Sequence, residues 1–239
     1  MVKQKKLSIF SLKASILFIL TFFLIILYFY FSSYFEINNV SKAYITNQGD
    51  NTVSIIDLET LKTLKTLKVG VAPLGITILQ KKKLVFVGNV GTDDISVIDA
   101  VNDTLIKTIK LGTAPLSIAS NSEETEVYVT DWFQNNVLTI SADEMKVTRR
   151  LKVGVTPSGI AYNKKYKYQV ITNRDANTLE IYNEDDDLVK KIETGNHPFG
   201  VYSEGDFAYV ANVYDDSVSI INLVDWSKYE FMVGAHPYN

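Results

Sequence analysis

The spacing of the prolines constrains the fold of this chain more than any other feature. The sequence holds five prolines, and consecutive ones are 42, 42, 41 and 39 residues apart: Pro73, Pro115, Pro157, Pro198 and Pro237. A glycine lies three residues before each of them: Gly70, Gly112, Gly154, Gly195 and Gly234. A period of about 42 residues that includes every proline indicates a repeat architecture.

Two further motifs recur in phase with the prolines. The first reads YITN, FVGN, YVTD, VITN and YVAN, and it ends at Asn47, Asn89, Asp131, Asn173 and Asn212. The second reads VSIID, ISVID, VLTIS, LEIYN and VSIIN. Both motifs are rich in Val, Ile, Tyr and Thr, which predicts strands. The turn between them has an Asn or Asp at one equivalent position, where left-handed backbone is tolerated: Asn51, Asp93, Asn135, Asn177 and Asp216.

Two more strands complete each repeat. One leads into the glycine, as in LKTLKV, and one follows the proline, as in LGITIL. Four short antiparallel strands in a repeat of this length are typical of a propeller blade. We therefore predict an all-β fold: a β-propeller of four-stranded blades, with about five repeats, after an N-terminal transmembrane helix.

These motifs resemble the YVTN-type β-propeller repeat family, which includes surface-layer-like and periplasmic proteins. The similarity extends from about residue 43 to residue 237. It implies that the motif glycines, prolines and Asn or Asp residues serve turns and blade packing, and it implies little about function. Members of the family usually have about seven blades, so this chain departs from them.

A basic segment and an uncharged apolar run precede the repeats. Residues 1–13 carry four lysines and no acid, and residues 14–35 carry no charge. These 22 residues would span about 33 Å as a helix, enough to cross a bilayer. Lysines before the run and aromatic residues after it favour an inside N-terminus. We predict a cytoplasmic tail at 1–13, a single-pass signal anchor at 14–35 and a periplasmic or extracellular propeller at 36–239.

Two other interpretations of the apolar run stay open, a cleaved signal peptide and a buried core helix. Signal cleavage needs small residues at the cleavage site, whereas bulky Phe31, Tyr34 and Phe35 flank the two serines at the end of the run. The uncleaved anchor therefore fits the sequence better.

The end of the chain leaves the closure of the propeller open. Asn239 follows the fifth proline by two residues, so the strand after the proline has four full copies. Residues 34–37 could supply the innermost strand of a five-bladed ring. The chain could instead form an open arc, whose exposed apolar blade face would favour self-association. A truncated reading frame is the third alternative.

Composition limits the chemistry of the chain. It has 239 residues, a formal net charge of −3 and no cysteine, which excludes disulfides, cysteine-based zinc sites and iron–sulfur clusters. Removing the +4 of residues 1–13 leaves −7 on the rest, which argues against nucleic acid as a partner. We predict no cofactor; the expected partners are the membrane, through the N-terminal helix, and a protein or cell-envelope component.

The candidate ligand-binding residues are His197, His236, Trp132, Phe133 and Tyr214. The two histidines directly precede a motif proline at equivalent positions, so both imidazoles could face a common channel mouth. Histidine could also be merely tolerated in that loop. The three aromatics lie in otherwise polar turns, where they could stack on a ligand or pack between blades.

No metal site or catalytic residue is predicted. The histidines have no third ligand, and the acidic run 183–187 lacks the spacing of an EF-hand, so we interpret it as a solvated turn. Sequence signatures of hydrolases, phosphate loops and zinc proteases are missing. We predict a non-enzymatic binding or surface scaffold module. The alternative is a propeller enzyme, a hydrolase or oxidoreductase, with its site near His197 and His236.

Overall fold

The computed structural model describes residues 20–30 and 41–238. Residues 20–30 form helix α1, whose side chains are exposed. Within these described ranges, no helix is both long and apolar enough to span a bilayer. The tail at 1–13, the remainder of the predicted anchor (14–19 and 31–35) and the segment 34–37 lie outside the described residues. The anchor and the strand at 34–37 therefore stay predictions.

Strands account for most of residues 42–232 and form five sheets. The first sheet has three strands: β1 (Lys42–Asn47), β2 (Thr52–Asp57) and β3 (Thr63–Lys68). The second has β4 (Pro73–Leu79), β5 (Leu84–Asn89), β6 (Asp94–Asp99) and β7 (Thr104–Lys110). The third has β8 (Pro115–Ser120), β9 (Glu126–Asp131), β10 (Asn136–Ser141) and β11 (Lys146–Lys152).

The last two sheets repeat this pattern. The fourth has β12 (Pro157–Asn163), β13 (Tyr168–Asn173), β14 (Thr178–Tyr182) and β15 (Leu188–Glu193). The fifth has β16 (Pro198–Glu204), β17 (Phe207–Asn212), β18 (Ser217–Asn222) and β19 (Lys228–Met232). Strands are paired in chain order, and the pairs within the four-stranded sheets are antiparallel.

The prediction of an all-β fold built from repeated antiparallel sheets is confirmed, with one difference in the first sheet. Each four-stranded sheet begins at a motif proline, as the repeat analysis requires. The first sheet has three strands because the position equivalent to β4 in the first repeat falls on residues 32–37, outside the described part of the chain. Within the described residues, three of the four strands predicted for this sheet are therefore seen, and the fourth stays a prediction.

The chain divides into two compact units. Of the described residues, the smaller includes 20–30, 41–43 and Asp57–Lys62, and in it the N–H of Leu58 donates to the carbonyl of Ser41 over 2.9 Å. The larger comprises Tyr44–Ile56 and Thr63–Asn239 and contains all four four-stranded sheets. The core and the candidate site described below belong to the larger unit.

Consecutive four-stranded sheets pack face to face. Their first strands are neighbours: β4 contacts β8, β8 contacts β12, and β12 contacts β16. A sheet between two others is buried on both faces, so its middle strands need no alternation of polar and apolar residues. Strand β14, with the sequence TLEIY, is accordingly buried at every position. This packing explains the weak alternation in the second motif.

The Asn or Asp of the turn between the second and third strands adopts the left-handed conformation in every repeat, as predicted. The φ angles are 59°, 54°, 56°, 52° and 48° for Asn51, Asp93, Asn135, Asn177 and Asp216. In four repeats this side chain accepts a hydrogen bond from the N–H of the residue before the motif proline. The turn thereby holds the loop that leads into the next sheet.

Three of the motif glycines contact the motif asparagine of the following sheet. An added Cβ atom would lie 2.6 Å from Cγ of Asn89 at Gly70, 2.5 Å from Cγ of Asn173 at Gly154 and 2.7 Å from Cγ of Asn212 at Gly195. The asparagine amide in turn donates to hydroxyls on the third strand, as from Asn212 to Ser217 (3.0 Å) and Ser219 (2.8 Å). After the second sheet, the residue of the following sheet at this position is Asp131 rather than an asparagine, and Gly112 adopts a φ of +72°.

Candidate functional site

Two kinds of segment meet at one end of the sheets. One kind is the loop from motif glycine to motif proline, and the other is the turn between the second and third strands of a sheet. They are joined by backbone hydrogen bonds: the N–H of Arg174 donates to the carbonyl of Thr156 (2.9 Å), and the N–H of Val213 donates to the carbonyl of His197 (3.1 Å). We call the surface formed by these loops and turns the proline-loop face. All five predicted ligand-binding residues lie on it.

Arg174 connects the predicted residues into one cluster. Its guanidinium carbon lies 5.7 Å from the ring centroid of Trp132 and 5.9 Å from that of Tyr214. The ring of Tyr214 is 4.2 Å from that of His197 and 6.2 Å from that of His236, between centroids. A cation between two aromatic faces is held by the ring quadrupoles. Turns from three consecutive sheets thus contribute to one mixed aromatic and cationic surface.

Asp175 holds the charged groups of this cluster in place. One of its carboxylate oxygens accepts a hydrogen bond from Arg174 Nη1 (2.7 Å) and lies 3.9 Å from His197 Nε2. The other accepts from the hydroxyl of Thr156 (2.7 Å). The carboxylate therefore fixes the side chain of Arg174, its neighbour in the same turn, and places a negative charge beside the imidazole.

The two histidines occupy a strained backbone position. Their φ angles are 53° and 52°, in the left-handed region, and Ala72 and Thr156 share this conformation at the equivalent positions. The backbone therefore does not require histidine here, because several residue types adopt the same loop. His236 Nδ1 lies 3.1 Å from the carbonyl oxygen of Val213.

A second carboxylate on this face, that of Asp215, is held by Asn196. The backbone N–H and the side-chain amide of Asn196 both donate to it, over 2.6 and 2.7 Å. These hydrogen bonds, with a smaller contribution from nearby His197, lower the pKa of Asp215 below its ordinary value. Asp215 therefore stays ionised at neutral pH.

An apolar pocket of about 260 Å³ opens beside this cluster. It is lined by Val90, Ala114, Leu116, Trp132, Phe133, Phe199 and Tyr238. The ring of Phe199 is 4.1 Å from that of Tyr238 and 6.1 Å from that of Trp132, so three aromatic rings form a continuous wall. Phe133 is 74% exposed at the rim. Such a wall suits a flat apolar group.

A larger cavity of about 530 Å³ lies next to the pocket and shares three lining residues with it. The residue after the motif proline lines it in each repeat: Leu74, Leu116, Ser158, Phe199 and Tyr238. The neighbouring residues of the first strands and Gln48 complete the wall. These positions are equivalent, and in the four four-stranded sheets they lie at the start of the first strand. The cavity therefore lies along these first strands, and Leu116, Phe199 and Tyr238 form the wall that it shares with the pocket.

Four residues of the site were missed in the sequence: Arg174, Asp175, Phe199 and Tyr238. Aligning the repeats could have found them, because Arg174 occupies the position of Trp132, and Phe199 and Tyr238 occupy the position of Leu74. The sequence offered no signal that the turn of one repeat and the loop of another would share one pocket.

Within residues 20–30 and 41–238, no group of three His, Cys, Asp or Glu side chains could hold a metal ion. The acidic run 183–187 forms a turn in which Asn183 accepts hydrogen bonds from the N–H groups of Asp185 and Asp187. Asp186 pairs with Arg149 over 3.1 Å, and Glu184 accepts from the hydroxyl of Tyr162 over 3.0 Å. These carboxylates serve contacts with neighbouring strands.

No protein-family model matches the chain, and no curated protein matches it in sequence. Solved structures do match it. Hydrazine synthase from Kuenenia stuttgartiensis aligns with a TM-score of 0.76 at 18% identity, over 83% of this chain and 66% of that one. Virginiamycin B lyase from Staphylococcus aureus aligns with a TM-score of 0.73 at 16% identity, over 85% and 71% of the two chains.

A protein of unknown function from Desulfotomaculum acetoxidans is similar to the same degree, with a TM-score of 0.73 at 16% identity over 82% of this chain and 68% of that one. The chain thus spans about two thirds of the length of these structures. At such low identity the likeness shows the fold alone, which is that of β-propeller-like proteins. Membership of the YVTN-type family stays a prediction.

Proposed function

We propose that this β-propeller-like chain is a non-enzymatic binding module whose ligand docks on the proline-loop face through a flat apolar group. The observation that carries the proposal is the wall of Trp132, Phe199 and Tyr238 beside the larger cavity. The pocket of about 260 Å³ is smaller than a typical drug-sized site, so it suits a side chain or ring of a larger ligand. The rest of the ligand would extend over Arg174 and Tyr214.

The binding test uses the neutral, flat probe N-phenyl-1-naphthylamine, whose emission rises in apolar surroundings. We expect saturable binding to the full chain. Trp132→Ala should weaken binding about tenfold, since an aromatic contact contributes roughly 0.5–1.5 kcal/mol beyond its area burial. The chain has two tryptophans, and Trp226 lies near Lys190 in another turn, so Trp226→Phe is the matched control. Equal loss in both variants, or in neither, would contradict the proposal.

The proposal includes the single-pass anchor at 14–35, with the N-terminus inside and the propeller in the periplasm or outside the cell. Helix α1 supports it, because its apolar residues from Phe22 to Leu27 are 40–62% exposed. Exposed apolar helix surface fits a lipid environment.

Extraction at alkaline pH tests the anchor, since an integral protein stays with the membrane. Protease digestion of intact cells or spheroplasts tests the topology: the propeller should be cleaved and the tail at 1–13 protected.

An enzyme is the second candidate, favoured by the 3.9 Å separation between His197 Nε2 and the carboxylate of Asp175. An imidazole beside a carboxylate can accept and return a proton. The similar structures include virginiamycin B lyase in complex with quinupristin. That lyase is a catalytically inactive variant in which a histidine is replaced by alanine. Incubation with quinupristin, followed by mass spectrometry, tests this candidate. Turnover that disappears in His197→Ala and persists in His236→Ala would favour the enzyme over the binding module.

A further inference from the structure

Each of the first four sheets covers one face of the sheet that follows it. Between the fourth and fifth sheets, Val170, Leu179 and Ile181 pack against Ala208, Val210 and Ile221, and all six side chains are fully buried. The same contact joins the first and second sheets, where Tyr44, Val53 and Ile55 pack against Val85, Val87 and Ile98. The sheet-to-sheet contact is therefore an established, repeated interface of this fold.

The fifth sheet has no described sheet on its far face. Tyr209, Val218 and Ile220 occupy the positions of Val170, Leu179 and Ile181, but they are partly exposed. The register places more aromatics on this face, since Tyr209 pairs with Tyr202, Ile220 with Tyr229, and Val218 with Phe231. Tyr202, Tyr229 and Phe231 are 59%, 58% and 54% exposed. We call these six residues the trailing face.

The first sheet has the complementary face exposed. Ile45 and Ile56 occupy the positions of Val210 and Ile221, which the preceding sheet covers in the last repeat. Ile45 is 47% exposed, and Ile56 is partly exposed. We call these two residues the leading face. The trailing face of the fifth sheet is thus of the kind that covers the next sheet inside the chain. The leading face of the first sheet is of the kind that the preceding sheet covers.

We propose that the trailing face of one chain docks on the leading face of a second copy of the same chain. The contact would continue the interface that already joins consecutive sheets, with Tyr209, Val218 and Ile220 in the covering positions. A contiguous apolar face of this kind favours association in water. Because the two faces differ, the contact is head-to-tail rather than two-fold symmetric.

Cross-linking tests the contact directly, since the natural sequence has no cysteine. Full chains carrying Ile45→Cys and full chains carrying Phe231→Cys are purified in mild detergent, mixed, and treated with a short bismaleimide. We expect covalent dimers in the mixture and few in either variant alone. Ile106→Cys replaces Ile45→Cys as the matched control, because Ile106 is 46% exposed on the outer strand β7 of an interior sheet.

Three outcomes would overturn the proposal. Dimers formed by one variant alone would indicate a symmetric contact. A cross-link within single chains of the double variant Ile45→Cys/Phe231→Cys, without dimers, would indicate that one chain brings its own two faces together. Equal yields with Ile106→Cys would indicate random collision.

Sedimentation of the chain without cysteine substitutions provides a second readout. Association should depend on concentration, and Phe231→Lys or Ile45→Lys should weaken it at least about tenfold, because each would bury an unpaired ammonium group. Ile106→Lys should leave it unchanged. A chain that stays monomeric at all concentrations, or that associates equally in all variants, would contradict the head-to-tail contact.

Discussion

The imidazole of His197 packs against the phenol ring of Tyr214, with 4.2 Å between the ring centroids and 37° between the ring planes. The two residues belong to the loop before β16 and to the turn between β17 and β18. The backbone brings them together, because the N–H groups of Val213 and Tyr214 donate to the carbonyls of His197 and Asn196. The ring pair is thus positioned by main-chain hydrogen bonds, and it forms a preformed aromatic surface on the proline-loop face.

Replacing Asp175 should weaken ligand binding without unfolding the chain. Asp175→Ala removes the carboxylate that holds Arg174 between the rings of Trp132 and Tyr214. A surface cation–π contact contributes about 0.5–1 kcal/mol, so the affinity for N-phenyl-1-naphthylamine should fall about two- to fivefold. Fluorescence titration measures this change. Asp185→Ala, in the exposed turn of the acidic run, should bind the probe like the parent chain.

A methyl group at Gly154 should destabilise the fold. Its Cβ would lie 2.5 Å from Cγ of Asn173, so the asparagine would have to move in the packed interface between the third and fourth sheets. Overpacking of this kind costs about 1–3 kcal/mol, which urea unfolding of Gly154→Ala would detect. Gly49→Ala is the control, because no atom lies within 4 Å of its added Cβ. Similar losses in both variants would show that packing against Asn173 is not the cause.

The stability of the chain should depend on the ionisation of Glu180. Its side chain is 6% exposed, and burial alone would raise its pKa. Hydrogen bonds from Lys191, Tyr182 and the N–H of Gly154 outweigh burial and hold the pKa of Glu180 below its ordinary value. Because the pKa of Glu180 is lower in the folded chain than in the unfolded one, its ionisation stabilises the fold at pH values above the unfolded pKa, which is about 4.3 for glutamate. This stabilisation is lost as the pH falls through the folded-state pKa.

Urea unfolding of Glu180→Gln across this pH range tests the linkage. At pH 7 the variant should be less stable than the parent by about 1–3 kcal/mol, because hydrogen bonds to a charged acceptor are replaced by weaker ones. The difference should narrow as the pH falls below about 4.3. Glu193→Gln, at an exposed position on β15, should show no such trend. A difference that is constant with pH would exclude ionisation as its origin.

Calcium should not stabilise the fold through the acidic run 183–187. Asp186 is paired with Arg149 and Gln169, and Glu184 with Tyr162 and Lys167, so these carboxylates already have partners. We expect the same melting temperature in excess calcium and in EDTA. A calcium-dependent rise in melting temperature that is lost in Asp185→Ala would contradict this expectation.

The repeat period, the strands and the left-handed turns could all be predicted from the sequence. These features depend on interactions within one repeat, and five copies make the pattern visible. The Asn or Asp at the turn is an example, because its own backbone conformation is a local property.

The composition of the binding surface was decided by the tertiary structure. Arg174 lies between Trp132 and Tyr214 only because three consecutive sheets pack face to face. The rings of Phe199 and Tyr238 meet because the segment at Tyr238 lies beside β16, where the N–H of Gly200 donates to the carbonyl of Tyr238. Such contacts join residues tens of positions apart, and their distances follow from the packing of whole sheets. The sequence placed five candidates on equivalent loops, whereas only the packed sheets show which side chains share a pocket.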